Sequence, residues 1–285
     1  MAGKESNAAP QPALDELISS FDLERAAPDR FRGTAPAGSR TRIFGGVVLG
    51  QAITAAARHL DRSDLVLRSL HCDFLRSGLP GEPVDISVAT TSNGRTFAAR
   101  RLEMHQGDTL LLNVLARFHD VGEGPRHHVT APLPLPDPQS LSDFASRLEP
   151  HKEKAPDWAS GNLPIDVRFT ADPDANGQVT WFRAAGTLGP DPTTHACVAA
   201  YASDMTLLGA ATLPFGLEWW APGVALASLD HAMWFHAGFR ADEWTVYEQR
   251  IVSSGAGRAL VTGSMFTADG QLVATIVQDG LFKLA

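Results

Sequence analysis

The chain has 285 residues, 44% hydrophobic and 20% charged, so it is long enough for one large or two ordinary domains and too apolar for wholesale disorder. Its formal net charge of −8 argues against non-specific binding to nucleic acid or to an anionic membrane surface. With only two cysteines, Cys72 and Cys197, a disulfide framework and a cysteine-rich metal site are both excluded.

Residues 1–12 are predicted to be a polar leader rather than a signal peptide, because they lack the apolar core that a signal peptide requires. The most apolar stretch, residues 196–213, contains Asp204 and is rich in small side chains. A charge in mid-span is costly in a bilayer, so this stretch is not predicted to cross a membrane. We therefore expect a soluble, cytoplasmic protein that binds neither nucleic acid nor membrane.

Two predicted helices are apolar nearly all round. The first covers residues 44–60, where the few polar side chains form one narrow stripe. The second begins at Asp191-Pro192, a plausible N-cap and first helical position, and ends near Thr212, just before a proline. A helix without a wide polar face must be surrounded by protein, so each helix is predicted to lie in the centre of a folding unit.

Strands follow each helix in the predicted order. Alternation at Val84, Ile86 and Val88 indicates a half-buried strand. The other predicted strands are β-prone runs, at residues 109–119, 244–252, 257–268 and 271–283, and Asp269-Gly270 is predicted to form a hairpin turn between the last two. Residues 121–164 are rich in proline and lack periodicity, which indicates a linker with a short helix near residues 141–148.

The two halves resemble one repeated unit. Gly94-Arg95 recurs as Gly257-Arg258, and the order of a buried helix followed by strands is shared. We predict two units, at residues 13–120 and 165–285, joined by the linker at 121–164. Their antiparallel sheets could join edge to edge, which would remove exposed strand edges.

Common catalytic motifs are missing from the sequence, namely the G-x-S-x-G nucleophile elbow, the Walker A loop, G-x-G-x-x-G and H-E-x-x-H. His231 and His236 are five residues apart in a predicted strand, so they face opposite sides and cannot share a metal. Asp204 lies among apolar neighbours of the second helix, where a carboxylate must find donors or be protonated. It is a candidate general base, although a solvent-facing or Ser/Thr-bonded helix residue fits the sequence equally well.

Seven stretches match the pattern of a known family: RIFGGVVLGQA (42–52), LHCDFLRSG (70–78), NGRTFAARR (93–101), YASDMTLL (201–208), ASLDHAMWFH (227–236), DEWTVYE (242–248) and DGQLVATIVQDG (269–280). Through them the chain resembles the acyl-CoA thioesterase II family, and D-H-x-M-W-F-H is the most distinctive motif. The resemblance covers most of the chain except the leader and the linker. It implies an α+β fold of two tandem hotdogs, each a long central helix wrapped by an antiparallel β-sheet.

The resemblance also implies a site. In that family an Asp, a Thr and a Gln bind and orient the attacking water, and these positions fall on Asp204, Ser228 and Gln278. Ser228 departs from the usual Thr, keeping the hydroxyl but losing the methyl that restricts its rotamer. Gly45 and Gly46, at the start of the first helix, are candidates to bring backbone N–H groups to the substrate's carbonyl oxygen, or to allow close packing.

The implied function is hydrolysis of medium- to long-chain acyl-CoA to fatty acid and CoA, without metal or redox cofactor, by a homodimer or higher homo-oligomer whose second unit carries the catalytic residues. One alternative is a non-catalytic acyl-CoA binding or sensing protein, hinted at by Ser228. Another is an enoyl-CoA hydratase, which would need a His where Gly209 stands. CoA binding requires a local basic patch despite the acidic balance, and Trp219 and Trp220 either line an acyl pocket or anchor a loop.

The repeat predicts one active site per chain. Aligning the two halves pairs Gln278 with Leu115 and places Gln51 near the counterpart of Asp204. The first half therefore lacks the full catalytic set.

Overall fold

A computed structural model describes residues 11–36, 41–122, 124–125, 127–132, 134–149, 163–170 and 176–284. Most of the predicted leader and part of the predicted linker lie outside the described residues. The α-helices are α1 (Gln11–Ser20), α2 (Gly45–Leu60), α3 (Phe144–Leu148) and α4 (Pro192–Thr206), with 3-10 segments at Pro138–Ser140 and Leu207–Phe215.

Within the described residues the chain forms thirteen β-strands. Strands β1–β6 precede the predicted linker and β7–β13 follow it. They are β1 (Glu24–Ala27), β2 (Arg30–Thr34), β3 (Leu65–Phe74), β4 (Pro83–Asn93), β5 (Phe97–Gln106), β6 (Thr109–Asp120), β7 (Ile165–Phe169), β8 (Gly177–Ala184), β9 (Val224–Ser228), β10 (Asp230–Phe235), β11 (Thr245–Gly255), β12 (Arg258–Thr267) and β13 (Leu272–Leu284).

Both predicted central helices are confirmed as α2 and α4. The Asp191 carboxylate accepts hydrogen bonds from the amides of Thr193 at 3.2 Å and Thr194 at 3.1 Å, which caps the start of α4 as predicted. The end of this helix differs from the prediction. It tightens into a 3-10 segment that continues through Pro214 and ends at Gly216, whose φ of 62° is the left-handed conformation that favours glycine at helix ends.

Among the described residues, Pro192–Phe215 is the one helical stretch long and apolar enough to cross a membrane by length and composition. However, 83% of its most apolar window is buried inside the protein. Its all-round apolar pattern therefore fits its place in the core, between the sheet and α2.

All the β-strands join one antiparallel sheet, in the order β1-β2-β4-β5-β6-β3-β10-β13-β12-β11-β8-β7, with β9 paired to β13. The predicted strands in both halves are confirmed, and Gly270, with a φ of 92°, lies in the predicted hairpin turn. Strands β3 and β10 join the two halves, with Cys72 opposite His231. The boundaries proposed at residues 12, 120 and 164 stay predictions.

The two central helices pack against each other through small residues. A Cβ on Gly46 would lie 2.8 Å from the carbonyl oxygen of Tyr201, and the thiol of Cys197 donates to the carbonyl of Gly50 at 3.3 Å. Because residues later in α2 contact residues earlier in α4, the helices are antiparallel. The N-terminus of α2 therefore lies beside the part of α4 that carries Asp204.

The predicted linker contributes one packed segment. The short helix predicted near residues 141–148 is present as α3, capped by Asp143, which accepts from the amide of Ser146 at 2.7 Å. Its Phe144 is buried and stacks on Trp219, with ring centroids 6.3 Å apart. The linker thus supports the loop that carries Trp219.

Candidate active site

A cavity of about 510 Å³ opens where the N-terminus of α2 meets the end of α4. Its wall combines both halves of the chain: Gly45 and Phe74 from the first, and Asp204, Trp219 and Ser228 from the second. Its size is within the range typical of small-molecule sites, about 300–1,000 Å³. Two of the predicted catalytic residues, Asp204 and Ser228, therefore line the same cavity.

Asp204, Ser228 and Gln278 form a hydrogen-bonded cluster. Gln278 Nε2 donates to Asp204 Oδ1 at 2.8 Å and to Ser228 Oγ at 2.8 Å. Ser228 Oγ donates in turn to Asp204 Oδ1 at 3.4 Å. The structure thus brings together three residues that are far apart in sequence, in the arrangement expected for holding a water molecule; their catalytic roles stay predictions.

The strands of the second half determine this arrangement. Ser228 is the last residue of β9 and lies opposite Gly280 of β13, so its hydroxyl is near Gln278, two residues earlier. Gln278 is completely buried and faces α4, since it lies two residues after the buried Ile276 on β13 and therefore on the same face of the strand. Among the described residues its Oε1 has no hydrogen-bond partner. A buried acceptor beside Asp204 suits a water molecule, which has two protons to donate.

Burial dominates the electrostatics of Asp204. Its side chain is only 4% exposed, and loss of hydration raises its pKa to about 6. Hydrogen bonds from Gln278, Ser228 and the Gly46 amide, together with the positive charge of Arg42, oppose this rise. The carboxylate is therefore ionised but basic near neutral pH, as a general base requires.

Gly45 and Gly46 have different surroundings. A Cβ on Gly45 would lie 2.6 Å from Asp204 Oδ2, so only glycine lets the helix approach the carboxylate this closely. Gly46 contacts α4 directly, and its amide hydrogen-bonds to the Asp204 carboxylate. Gly45 lines the cavity, whereas Gly46 is not among the lining residues. For both glycines the contact with a substrate carbonyl stays a prediction.

Three residues at or behind the cavity were not predicted as part of the site. Arg42 and Arg76 are exposed residues on its wall, and His231 lies behind Asp204, with its Nδ1 3.9 Å from Asp204 Oδ1. Arg42 is the first residue of RIFGG and Arg76 lies within DFLRSG, so their place in these two matched stretches was the signal that could have identified them. For His231 the signal was its place in D-H-x-M-W-F-H, three residues after Ser228. As predicted, it faces away from His236, being buried where His236 is exposed.

Among the described residues of the first half there is no equivalent cluster. Gln51 of α2 is buried, and its side-chain amide donates to backbone carbonyls, at 2.9 Å to Ser20 and at 3.4 Å to Thr34, rather than to a carboxylate. The predicted pairing of Gln278 with Leu115 is wrong, because Leu115 is 49% exposed on the outer face of the sheet while Gln278 faces inward. The alignment of the two halves is shifted by an odd number of residues along this strand, and such a shift pairs an inward-facing residue with an outward-facing one.

Family models match most of the chain. Residues 34–119 match an acyl-CoA thioesterase N-terminal domain, and residues 158–281 match acyl-CoA thioesterase. The chain is 34% identical to acyl-coenzyme A thioesterase 8 of Homo sapiens, over 94% of its own length and 89% of the relative's. This chain belongs to the acyl-CoA thioesterase family.

Solved structures share this fold. An acyl-CoA thioesterase II from Mycobacterium marinum is 35% identical, with a TM-score of 0.79 over 96% of this chain and 99% of that one. A hotdog-fold protein of unknown function from Alicyclobacillus acidocaldarius, 18% identical, has a TM-score of 0.78 over 94% of this chain and 98% of that one, which shows the fold alone. The predicted double-hotdog, α+β fold is confirmed, and the chain is a thioester hydrolase of acyl-CoA.

The structure also bears on the alternatives. A hydratase would carry a His at the position of Gly209. Gly209 packs against Trp219, and a Cβ at this position would lie 3.0 Å from the Trp219 ring, so the site leaves little room for a His side chain. His231 is fully buried and does not line the cavity. Within the part of the chain that the structure describes, no group of three or more His, Cys, Asp or Glu side chains is placed to hold a metal ion.

Proposed function

We propose that this thioesterase hydrolyses medium- to long-chain acyl-CoA with a water molecule that Asp204 deprotonates and that Ser228 and Gln278 orient. The observation that carries the proposal is the buried, hydrogen-bonded carboxylate of Asp204 on the wall of a cavity formed by both halves. A thioester carbonyl is a good electrophile and a thiolate a good leaving group, so activated water suffices without a covalent intermediate.

The steps follow from the positions of these groups. Asp204 takes one proton from water as the water oxygen bonds to the thioester carbon. The amide of Gly45, at the first turn of α2, is the donor that we assign to the carbonyl oxygen, because the first amides of a helix lack intrahelical partners. When the C–S bond breaks, Asp204 returns its proton to the CoA thiolate.

Apolar side chains supply a place for the acyl chain. Trp219, Trp220, Met205 and Leu208 line the cavity beside Asp204. Both tryptophans line the cavity, and Trp219 also stacks on Phe144. Their positions are therefore consistent with lining an acyl pocket and with anchoring a loop. An acyl chain longer than a few carbons would bury these surfaces, which supports the preference for medium to long chains.

Arg42 and Arg76 fit the phosphates of CoA. Both are exposed and line the cavity, and the amide of Ile43 donates to the carbonyl of Gly78 at 2.9 Å, which ties the two arginine-bearing segments together. Arginine binds phosphate through charge-assisted hydrogen bonds, so this pair is the local basic patch that an acidic protein needs for CoA.

The test is free-thiol release from acyl-CoA substrates of increasing chain length, with Asp204→Asn beside the wild type. We expect turnover that rises from short to medium and long chains and is lost in the variant. Arg76→Ala should raise KM for acyl-CoA about tenfold and leave KM for the matching acyl-pantetheine, which lacks the nucleotide phosphates, unchanged. Acyl-CoA binding without thiol release at any length would favour the non-catalytic alternative.

A cytoplasmic location and a homodimer or higher homo-oligomer also remain proposals. The acidic charge balance supports a location away from anionic surfaces. Large exposed apolar side chains on the sheet, including Phe97 at 62% and Leu115 at 49% exposure, support self-association. Cell fractionation and light scattering after size-exclusion chromatography would test the two proposals, and a monomer at micromolar concentration would contradict the second.

A further inference from the structure

His231 is a fully buried histidine behind the candidate general base. It lies on β10, where its backbone pairs with Cys72 of β3. Its Nε2 is 3.0 Å from Ser203 Oγ, on the residue next to Asp204 in α4. Its other ring nitrogen, Nδ1, lies 3.9 Å from Asp204 Oδ1 and has no hydrogen-bond partner among the described residues.

The hydroxyl of Ser203 determines which ring nitrogen carries the proton. Ser203 Oγ lies 2.8 Å from the carbonyl oxygen of Ala200, and because a carbonyl only accepts, the single hydroxyl proton must lie between these two oxygens. Ser203 Oγ therefore accepts from His231, which makes Nε2 the protonated nitrogen. Burial lowers the pKa of His231 to about 4, so the ring is neutral near pH 7 and Nδ1 carries a bare lone pair.

A bare lone pair opposite a carboxylate oxygen suits only one protonation state of that carboxylate. While Asp204 is ionised, two acceptors face each other and form no hydrogen bond. Once Asp204 is protonated, its O–H can donate to Nδ1, provided that the 3.9 Å separation contracts to hydrogen-bond length. The protonated state is the one formed when a general base has taken a proton from water.

We propose that His231 is a positioning residue for acyl-CoA hydrolysis, whose Nδ1 accepts a hydrogen bond from Asp204 after Asp204 has taken the proton of the attacking water. The inference rests on the proposed function. Water loses a proton to Asp204 as the water oxygen bonds to the thioester carbon. His231 Nδ1 accepts a hydrogen bond from the protonated Asp204 until the C–S bond breaks. The proton then passes from Asp204 to the thiolate. His231 neither gains nor loses a proton.

Three buried titratable groups around this pair stay neutral near pH 7. Burial raises the pKa of Cys72 on β3, Tyr201 on α4 and Tyr247 on β11, so all three stay neutral. At the periphery, Asp73 of β3 and Asp230 of β10 lie opposite each other, burial and the charge of Asp73 raise the pKa of Asp230, and Arg42 lines the cavity. Asp230 Oδ1 is engaged by the amide of Asp279 at 2.7 Å. In the buried cluster, Asp204 is therefore the group that titrates between pH 5 and 8.

Two variants of His231 separate its two ring nitrogens. In His231→Gln the side-chain amide can still donate to Ser203 but has no acceptor near the Nδ1 position, whereas in His231→Asn the amide oxygen replaces Nδ1 and the bond to Ser203 is lost. We expect His231→Gln to lower kcat about tenfold and to move the acidic limb of the kcat profile down by about one pH unit, because the protonated form of Asp204 loses its acceptor. His231→Asn should keep kcat within about threefold of the wild type and keep the limb in place.

A purely structural role predicts the reverse order. If His231 only supports α4 through Ser203, then His231→Gln should retain the wild-type kcat and pH limb while His231→Asn loses activity, and that result would overturn the inference. Thermal unfolding of both variants separates lost catalysis from lost folding.

A measurement on the wild type remains decisive if neither variant folds. In the protein with 15N-labelled histidine, NMR should show His231 Nε2 bonded to a proton and Nδ1 without one; a proton on Nδ1 would overturn the inference. Thiol release that survives Asp204→Asn would overturn the proposed function instead, so the two failures are distinguishable.

Discussion

The two hotdogs of this chain share an architecture but differ in what their central helices carry. In each, one long helix lies against five or more antiparallel strands, and β3 and β10 join the two sheets. The helix α4 carries Asp204, whereas α2 contains no acidic residue at all. The second half therefore contributes the buried charge, and the first half contributes a helix N-terminus beside that charge.

The strands that face the helices differ in the same way. On β13 the fully buried Gln278 donates to Asp204, while the buried positions of β6 are all apolar: Leu111, Leu112, Val114, Ala116 and Phe118. A carboxylate on α2 would thus find no carboxamide donor at the buried positions of the equivalent strand. Burying an ion costs free energy unless hydrogen-bond donors surround it. A buried carboxylate on the helix and a buried donor on the strand are therefore needed together, and the second half has both.

The comparison is tested most strongly by removing the charge. Asp204→Asn should lower kcat about a thousandfold, because general base catalysis contributes about 10²- to 10⁴-fold. The matched change in the first half, Gln51→Leu, should leave kcat near that of the wild type, although the buried bond to Ser20 is lost. Thiol release under saturating acyl-CoA measures both. Comparable losses of kcat in two folded variants would mean that both halves take part in the chemistry.

The next effect concerns the contribution of the first half. Gly45→Ala should lower kcat about a hundredfold, since its Cβ would lie 2.6 Å from Asp204 Oδ2 and would displace the carboxylate or the helix. Gly189→Ala is the control, because no atom lies within 4 Å of its added Cβ. Steady-state kinetics and unfolding temperatures should be measured for both. Wild-type kcat in a folded Gly45→Ala variant would show that the close approach is dispensable.

Replacing the carboxamide makes the second half resemble the first. Gln278→Leu removes the donor at 2.8 Å from Asp204, so the pKa of the carboxylate should rise further and the acidic limb of the kcat/KM profile should move to higher pH. We expect kcat to fall about thirtyfold, since the water loses one of its orienting groups. An unchanged limb would mean that the Gln278 bond does not persist in solution. Thr275→Val, on the outer face of the same strand, is the control.

The pattern of apolar and polar residues alone was sufficient to predict the two central helices and one hairpin turn. The all-round apolar helices, the Asp191-Pro192 start of α4 and the Asp269-Gly270 turn are local signals, and each matches the structure. These features depend on residues a few positions apart, whose geometry is set by helical or strand periodicity. The end of α4 was predicted less accurately, because the helix continues as a 3-10 segment that contains Pro214, where the sequence predicted a stop.

Long-range relations required more than pattern. Asp204, Ser228 and Gln278 were grouped through family resemblance, since nothing in their spacing shows that they meet. Leu115 was paired wrongly with Gln278 because inward and outward positions alternate along a strand, so an alignment error of one residue changes the face. His231 was considered only as a metal ligand, because its proximity to Asp204 depends on how β10 packs on α4.

Stability should respond to pH through the same carboxylate. The pKa of Asp204 is about 6 in the folded protein against an ordinary 3.8, so the folded state binds the proton more tightly, and ionisation at neutral pH disfavours folding. Asp204→Asn should therefore be more stable than the wild type at pH 7, by on the order of 2–3 kcal/mol.

This advantage should be small near pH 4, grow as the pH rises to about 6 and then level off. Urea unfolding of both proteins across this range measures it. A difference in stability independent of pH would mean that Asp204 has an ordinary pKa in the folded state. Gln51→Leu, which changes no charge, serves as the reference for pH effects elsewhere.

The smallest expected effect is at Ser228, where the chain departs from its family's usual threonine. Ser228 Oγ lies 3.4 Å from Asp204 Oδ1, a long bond for a group that also accepts from Gln278 at 2.8 Å. Serine has three accessible rotamers, and the added methyl of Ser228→Thr would restrict them. If the hydroxyl is then held toward Asp204, kcat should rise about twofold to threefold, whereas Ser228→Ala should lower kcat about tenfold. Because Ser228 lines the cavity, a rise in KM without a change in kcat would instead mean that the methyl obstructs the acyl chain.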